Sequence, residues 1–173
     1  MEAKANQQSR ETAFRRAVRG SLLLWPVFVC GVALDLWSKH AVFAFLEPGR
    51  SIRIVDGVVQ FVRTENPGAA FGIAAGQSHV LVVISVIALA VILGLFYFTG
   101  SRNRLLTVAL ALFAAGVTGN LYDRLFNNGM VRDFIDVTYW PGKHWPAFNV
   151  ADSMLCVAVG LILISSYLSP RRR

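Results

Sequence analysis

Apolar residues gather into four long runs, at residues 22–45, 80–99, 105–122 and 150–168, which together take up nearly half the chain. Crossing a bilayer takes about 20 apolar helical residues, so each run predicts a transmembrane helix. Polar residues fill the gaps unevenly. The connection between the second and third runs is minimal, whereas residues 46–79 and 123–149 form two long connections that fall on the same side. Residues 1–20 are polar and read as a solvated, flexible head. The run after them is too long for a signal-peptide core, and no small-residue cleavage site follows it, so it is expected to stay as the first membrane helix.

Within the first long connection, "RSIRIVDGVVQFVRT" places Asp56-Gly57 between two β-branched runs. Glycine tolerates the positive φ of a tight turn, so this predicts a hairpin with a two-residue loop. "TENPGAAFGIAAG" follows, rich in Gly and Ala, and reads as a pliable segment leading into the second span. Its glycine content and its position after the hairpin predict that residues 66–72 move. In the second connection "VRDFIDVTYW" predicts a strand and Pro141-Gly142 a turn. Tyr139, Trp140, Trp145 and Phe148 suit an interfacial aromatic belt. The expected fold is a membrane all-α bundle of four transmembrane helices with a small β-sheet, forming one domain over residues 1–173.

Composition agrees: 55% of residues are hydrophobic and 16% charged, too few charges for a soluble domain of this size. The formal charge of +7 could suggest nucleic acid, but its distribution gives another reason. Residues 1–20, the short 100–104 link and the tail hold ten basic residues against Glu2 and Glu11, about +8. The other seven basic residues share their side with eight acids, about −1. This is the positive-inside pattern, with both termini cytoplasmic and the sheet extracytoplasmic. No nucleic-acid partner is needed. Cys30 and Cys156 fall within spans and read as small packing residues, not as a disulfide or a metal pair.

With that topology, the helical rise of about 1.5 Å per residue sets depth. Asp35 and Lys39 fall in the outer half of the first span, four residues apart on one face, where they can neutralise each other. Asn120, Asp123 and Arg124 fall at the outer end of the third, Asn149 and Asp152 at the outer start of the fourth, and Asp133 between these two. Each has an ordinary reading: Asn149 as an N-cap with Asp152 favouring the helix dipole, Asp123 and Arg124 as a solvated terminus, Asp35 and Lys39 as a structural pair. Taken together at one depth, ionisable groups in a membrane protein point to function. His40, His79 and His144 are scattered and fit neither a zinc site nor a Ser-His nucleophile, so no metal or cofactor is expected. What remains is carboxylates and carboxamides. Two carboxylates in a poorly solvated site share a proton, so one can draw a proton from water while the other polarises a carbonyl. Which two of Asp123, Asp133, Asp136 and Asp152 would pair stays open at this point.

"LDLWSK" at 34–39, "NPGAAFG" at 66–72, "GNLYDR" at 119–124, "VRDF" at 131–134 and "FNVADS" at 148–153 together resemble bacterial lipoprotein signal peptidase, signal peptidase II. The motifs keep the family's order and span most of the chain. The resemblance implies a membrane aspartyl protease of the bacterial cytoplasmic membrane. It would remove signal peptides from prolipoproteins whose lipobox cysteine carries a diacylglyceryl group. Lipidated prolipoproteins and membrane lipid are then the partners, and a monomer is the expected state. By position, Asp133 and Asp152 match the catalytic dyad, and Asp35, Lys39, Asn66, Asn120, Arg124 and Asn149 the polar active-site positions. Asp123 matches a position that supports the end of the third helix. Arg132 departs from the pattern, standing where many members have an apolar residue, and "FNNGM" is one residue longer than usual. Two other classes compete on composition alone: a small transporter, which would favour midplane polarity, broken helices and repeats, and a non-enzymatic assembly subunit using the Asp35/Lys39 pair.

Overall fold

The computed structural model describes residues 2–69, 74–99 and 103–168. Four helices run α1 (Glu2–Phe45), α2 (Ser78–Thr99), α3 (Arg104–Phe126) and α4 (Val150–Leu168), and all four contain a stretch long and apolar enough to cross a membrane. The protein is a multi-pass membrane protein. Four strands, β1 (Ser51–Val55), β2 (Val59–Asn66), β3 (Val131–Trp140) and β4 (Lys143–His144), form one antiparallel sheet in the order β1-β2-β3-β4. Both strand-bearing connections leave the same end of the bundle, where α1 and α3 finish and α2 and α4 begin.

α3 is the central helix. More than half of its apolar window is buried, against about a fifth in the other three, and α1, α2 and α4 all pack on it. Small residues allow the close approach that membrane helices rely on. A Cβ at Gly31 of α1 would meet Ala115 Cβ and Met154 Sδ, and one at Gly116 of α3 would meet the Ala151 carbonyl. At Gly119 a Cβ would overlap the Asp35 carboxylate. The absent side chain is what makes room for a charge between helices.

Local sequence sets the ends of α3. Asn103 caps its start, its Oδ1 accepting from the Leu105 and Leu106 N–H groups at 2.9 and 3.3 Å. At the other end the Asn127 N–H reaches the Asp123 carbonyl at 2.7 Å. Asn128 and Gly129 then take φ values of 52° and 82°, which Asn and Gly tolerate best, and turn the chain into β3. "FNNGM" is this turn.

Several details differ from the sequence reading. Residues 2–19, expected as a head without regular structure, continue α1 as helical backbone. The stretch is rich in Ala, Gln, Arg and Glu, and extending an existing helix avoids the cost of nucleation. The hairpin loop has three residues, not two: Val55 pairs with Val59 across a register shift, and the Val58 N–H closes on the Val55 carbonyl at 3.0 Å with Gly57 at φ +71°. α3 runs four residues past the predicted end at 122, taking in Asp123 and Arg124. Cys30 and Cys156 are exposed on their helices rather than packed between them, since a small apolar group suits a lipid-facing position equally well.

Candidate active site

All nine residues singled out on sequence join one continuous network of hydrogen bonds and ion pairs where α3, α4, β2, β3 and the end of α1 meet. It is built outward from Asn149, which is fully buried just before α4. Its Oδ1 accepts from the Asp152 N–H at 2.9 Å, and Asp152 Oδ2 accepts from the Asn149 N–H at 3.2 Å. This reciprocal cap satisfies helix-start donors and fixes the Asp152 carboxylate at the positive end of α4. Asn149 Nδ2 faces away from the cap and donates to Asp133 Oδ1 at 2.7 Å, with weaker contacts to Asn120 Oδ1 at 3.1 Å and the Arg132 carbonyl at 3.3 Å. One asparagine therefore touches both carboxylates.

Each carboxylate has a further amide donor. Asn66 Nδ2 reaches Asp133 Oδ2 at 3.0 Å, and Asn120 Nδ2 reaches Asp152 Oδ1 at 2.8 Å. Asn66 sits at the end of β2, and its Oδ1 accepts from the Gly68 N–H at 2.9 Å. Arg124 Nη2 donates to the Gly68 carbonyl at 3.1 Å and its Nη1 to the Asn120 carbonyl at 3.4 Å, while its Nε is buried without a hydrogen-bond partner among the described residues. Of the 66–72 segment, residues 70–72 lie outside the described residues.

Beneath the carboxylates lies a set of buried charges. Lys39 Nζ stands 2.7 Å from Asp35 Oδ2, 3.2 Å from Asp123 Oδ2 and 3.0 Å from Asn120 Oδ1. Asp35 Oδ1 accepts from the Ala151 N–H at 2.8 Å, pinning α1 to the first turn of α4. Lys39 thus supports Asn120, and Asn120 in turn supports Asp152. A lysine with no solvent access needs this many partners.

Electrostatics single out Asp133, which lies outside the membrane helices. Burial pushes its carboxyl up from 3.8 to about 7, and Asp152 adds to the rise; the Asn66 and Asn149 amides and the charge of Lys39 pull against it. A carboxylic acid that holds or releases a proton near neutrality is what general acid–base chemistry needs. Asp136, also buried, belongs to a separate group, with Gln60 Nε2 at 2.6 Å and His144 Nδ1 at 2.9 Å. Of the four aspartates left open by composition, the fold puts Asp133 and Asp152 on one asparagine and gives Asp123 and Asp136 other partners.

The signal peptidase II family profile matches residues 27–168. The chain belongs to the signal peptidase II family. Membership makes it a membrane protease. Among curated relatives, a lipoprotein signal peptidase of Halalkalibacterium halodurans is 38% identical over 154 residues, covering 87% of this chain and 96% of that one. A lipoprotein signal peptidase of Geobacter sulfurreducens is 39% identical over 150 residues, covering 85% and 92%. The fold is similar to two solved bacterial membrane enzymes, both 30% identical, with TM-scores of 0.77 and 0.75. They cover 83% and 85% of this chain, and 87% and 94% of their own chains are matched.

Within this signal peptidase II fold, two contributors to the network were missed as partners on sequence. Arg132 donates through Nε and Nη2 to Asp123 Oδ1 at 2.9 and 2.5 Å, and its backbone N–H to Oδ2 at 3.0 Å. Only its departure from the motif marked it. Gly119 clears space for Asp35, and its place beside Asn120 in "GNLYDR" was the available signal.

Proposed function

We propose that this protein is an aspartic endopeptidase of a bacterial cytoplasmic membrane. It removes the signal peptide from diacylglyceryl-modified prolipoproteins, cutting before the lipidated cysteine. Family membership and the name lipoprotein signal peptidase carried by its relatives support the substrate class. The observation that carries the mechanism is Asn149, whose Nδ2 holds Asp133 and whose N–H holds Asp152. A shared scaffold of this kind keeps two carboxyl groups on one reacting centre.

In the reaction, the aspartate pair enters with one proton between its members. The ionised carboxylate takes a proton from water as the oxygen attacks the scissile carbonyl, and the protonated one donates to the developing oxyanion. The tetrahedral diol collapses as one aspartic acid gives its proton to the leaving nitrogen and the other aspartate takes a proton back from a diol hydroxyl, which breaks the C–N bond, re-forms the carbonyl and restores the singly protonated pair. Between water and substrate, the two aspartates carry every proton in this cycle. Asn66, Asn120 and Asn149 hold the carboxylates and Lys39 holds Asn120, so little reorganisation accompanies the step. Arg124, whose Nε has no hydrogen-bond partner among the described residues, bonds the substrate backbone. Asp35 and Asp123 support the site by pairing with Lys39.

The charge partition of the sequence supports both termini being cytoplasmic, which puts the sheet and the aspartates at the outer surface. There the bond after a signal helix emerges from hydrocarbon while the diacylglyceryl chains remain in it. The protein acts as a monomer. The test is to incubate purified protein with a diacylglyceryl-modified prolipoprotein and weigh the products. Release of the signal peptide with the lipidated cysteine at the new N-terminus supports the reading; an uncut substrate, or a cut elsewhere, contradicts it.

A further inference from the structure

Asp35, Lys39, Asp123 and Arg132 form a closed set of two anions and two cations. Lys39, Asp35 and Asp123 have no solvent access and the Arg132 side chain is 18% exposed. Asp123 is shared: Arg132 takes Oδ1 with its guanidinium fork, and Lys39 contacts Oδ2. Resting on the dyad reading above, we infer that Arg132 is a positioning residue of the reaction. By neutralising Asp123 it leaves Lys39 to hold Asn120 and Asp35, and so sets the charge against which Asp133 and Asp152 share their proton.

Without the guanidinium the set holds two carboxylates and one ammonium, an uncompensated negative charge one asparagine away from Asp152. Buried charges are poorly screened by salt, so the dyad feels the difference at any ionic strength. The charged groups around the set are Asp35 and Lys39 from α1, Asp123 and Arg124 from α3, Glu65 opposite Arg132 on β2, Asp133 on β3 and Asp152 on α4. Arg124 gives its Nη groups to the Gly68 and Asn120 carbonyls and so does not take the place of Arg132 on Asp123, while Glu65, an anion that accepts from Asn127 Nδ2 at 3.4 Å, has no donor to offer it.

The test is the pH profile of kcat/KM on lipidated prolipoprotein for Arg132→Met, Arg132→Lys, Asp123→Asn and the double variant Asp123→Asn/Arg132→Met. Extra negative charge disfavours ionisation of a carboxyl, so Arg132→Met should displace the profile to higher pH by about one unit. Asp123→Asn leaves one surplus cation and should displace it to lower pH. Arg132→Lys, which keeps the charge, and the neutral double variant should both stay close to wild type. Displacements of opposite sign that cancel in the double variant are something a simple strut between α3 and β3 cannot produce. Loss of activity by Arg132→Met and Asp123→Asn at every pH, with profiles unmoved, would overturn the inference. Should Arg132→Met not fold, the shift in Asp123→Asn and its absence in the double variant decide the matter. Asp133→Asn is assayed alongside: activity in that variant would sink the dyad reading itself, whatever the profiles do.

Discussion

Asn149 and Asp152 cap each other: each side chain accepts from the other's backbone N–H, at 2.9 and 3.2 Å. The same asparagine spends its amide nitrogen on Asp133. Starting a helix and assembling a pair of carboxylates are thus two uses of one residue, and they can be separated. Serine caps a helix about as well as asparagine, but its hydroxyl is too short to reach Asp133. Asn149→Ser should keep thermal stability within about 1 kcal/mol of wild type while cleavage falls at least tenfold. Full activity in this variant would show that the contact to Asp133 is dispensable.

Asp133 predicts an unusual pH dependence of stability. Its carboxyl is raised from 3.8 to about 7 on folding, so the folded state holds the proton more tightly than the unfolded state does. The stabilising contribution is fully present below about pH 4 and is lost as pH rises through about 7, on the order of a few kcal/mol at most. Asp133→Asn removes this dependence. Thermal unfolding of the two proteins from pH 4 to 8 should show wild type losing ground to the variant as pH rises. Parallel curves would mean that Asp133 ionises in the folded protein as it does in the unfolded one.

Gly119 makes a structural prediction. A methyl group there overlaps the Asp35 carboxylate, which must move and loosen both its ion pair with Lys39 and its bond to the Ala151 N–H. Gly119→Ala should cost about 1–3 kcal/mol, although alanine is the better helix former. The measurement is the midpoint of thermal unfolding in detergent. An unchanged or raised midpoint would contradict the packing described at this crossing.

The proposed orientation, with both termini cytoplasmic, rests on the charge partition of about +8 against −1. Single cysteines at Gln7 and Gly142, in a background without Cys30 and Cys156, should react from opposite sides of the membrane. An impermeant thiol reagent added to intact cells should label the Gly142 position only. Labelling at both positions would overturn the assignment of the termini to the cytoplasm.

Much of this was legible in the chain because hydrocarbon imposes severe rules. Four apolar runs could hardly be anything but spans, and Asp35, Lys39, Asn120, Asn149 and Asp152 stand out because polar groups are rare within such segments. Contacts decided by tertiary geometry were less legible. The fork of Arg132 on Asp123 depends on how the Asn128-Gly129 turn brings β3 back along the end of α3, which no local pattern encodes. The third residue in the hairpin loop depends on a register shift between Arg53 and Val55, where the Asp56-Gly57 signal alone favoured the shorter loop. The polar head had no apolar face to predict its helix, yet extending α1 through good helix formers needs none.

The most direct test of the aspartate pair is cleavage of a lipidated prolipoprotein, in detergent or bilayers, by Asp133→Asn, Asp152→Asn and the double variant. Asparagine keeps the shape of each side chain and removes a group that exchanges protons. Such catalysis alone is worth about 10²–10⁴-fold, and residues acting as one unit are strongly non-additive. Each single variant should therefore be nearly inactive and the double variant little worse, while all three still bind the substrate. Asp136→Asn, whose carboxylate pairs with Gln60 and His144 instead, should remain active. If Asp152 served only as a helix cap, its replacement by asparagine would be mild. Substantial cleavage by either single variant would contradict the pair.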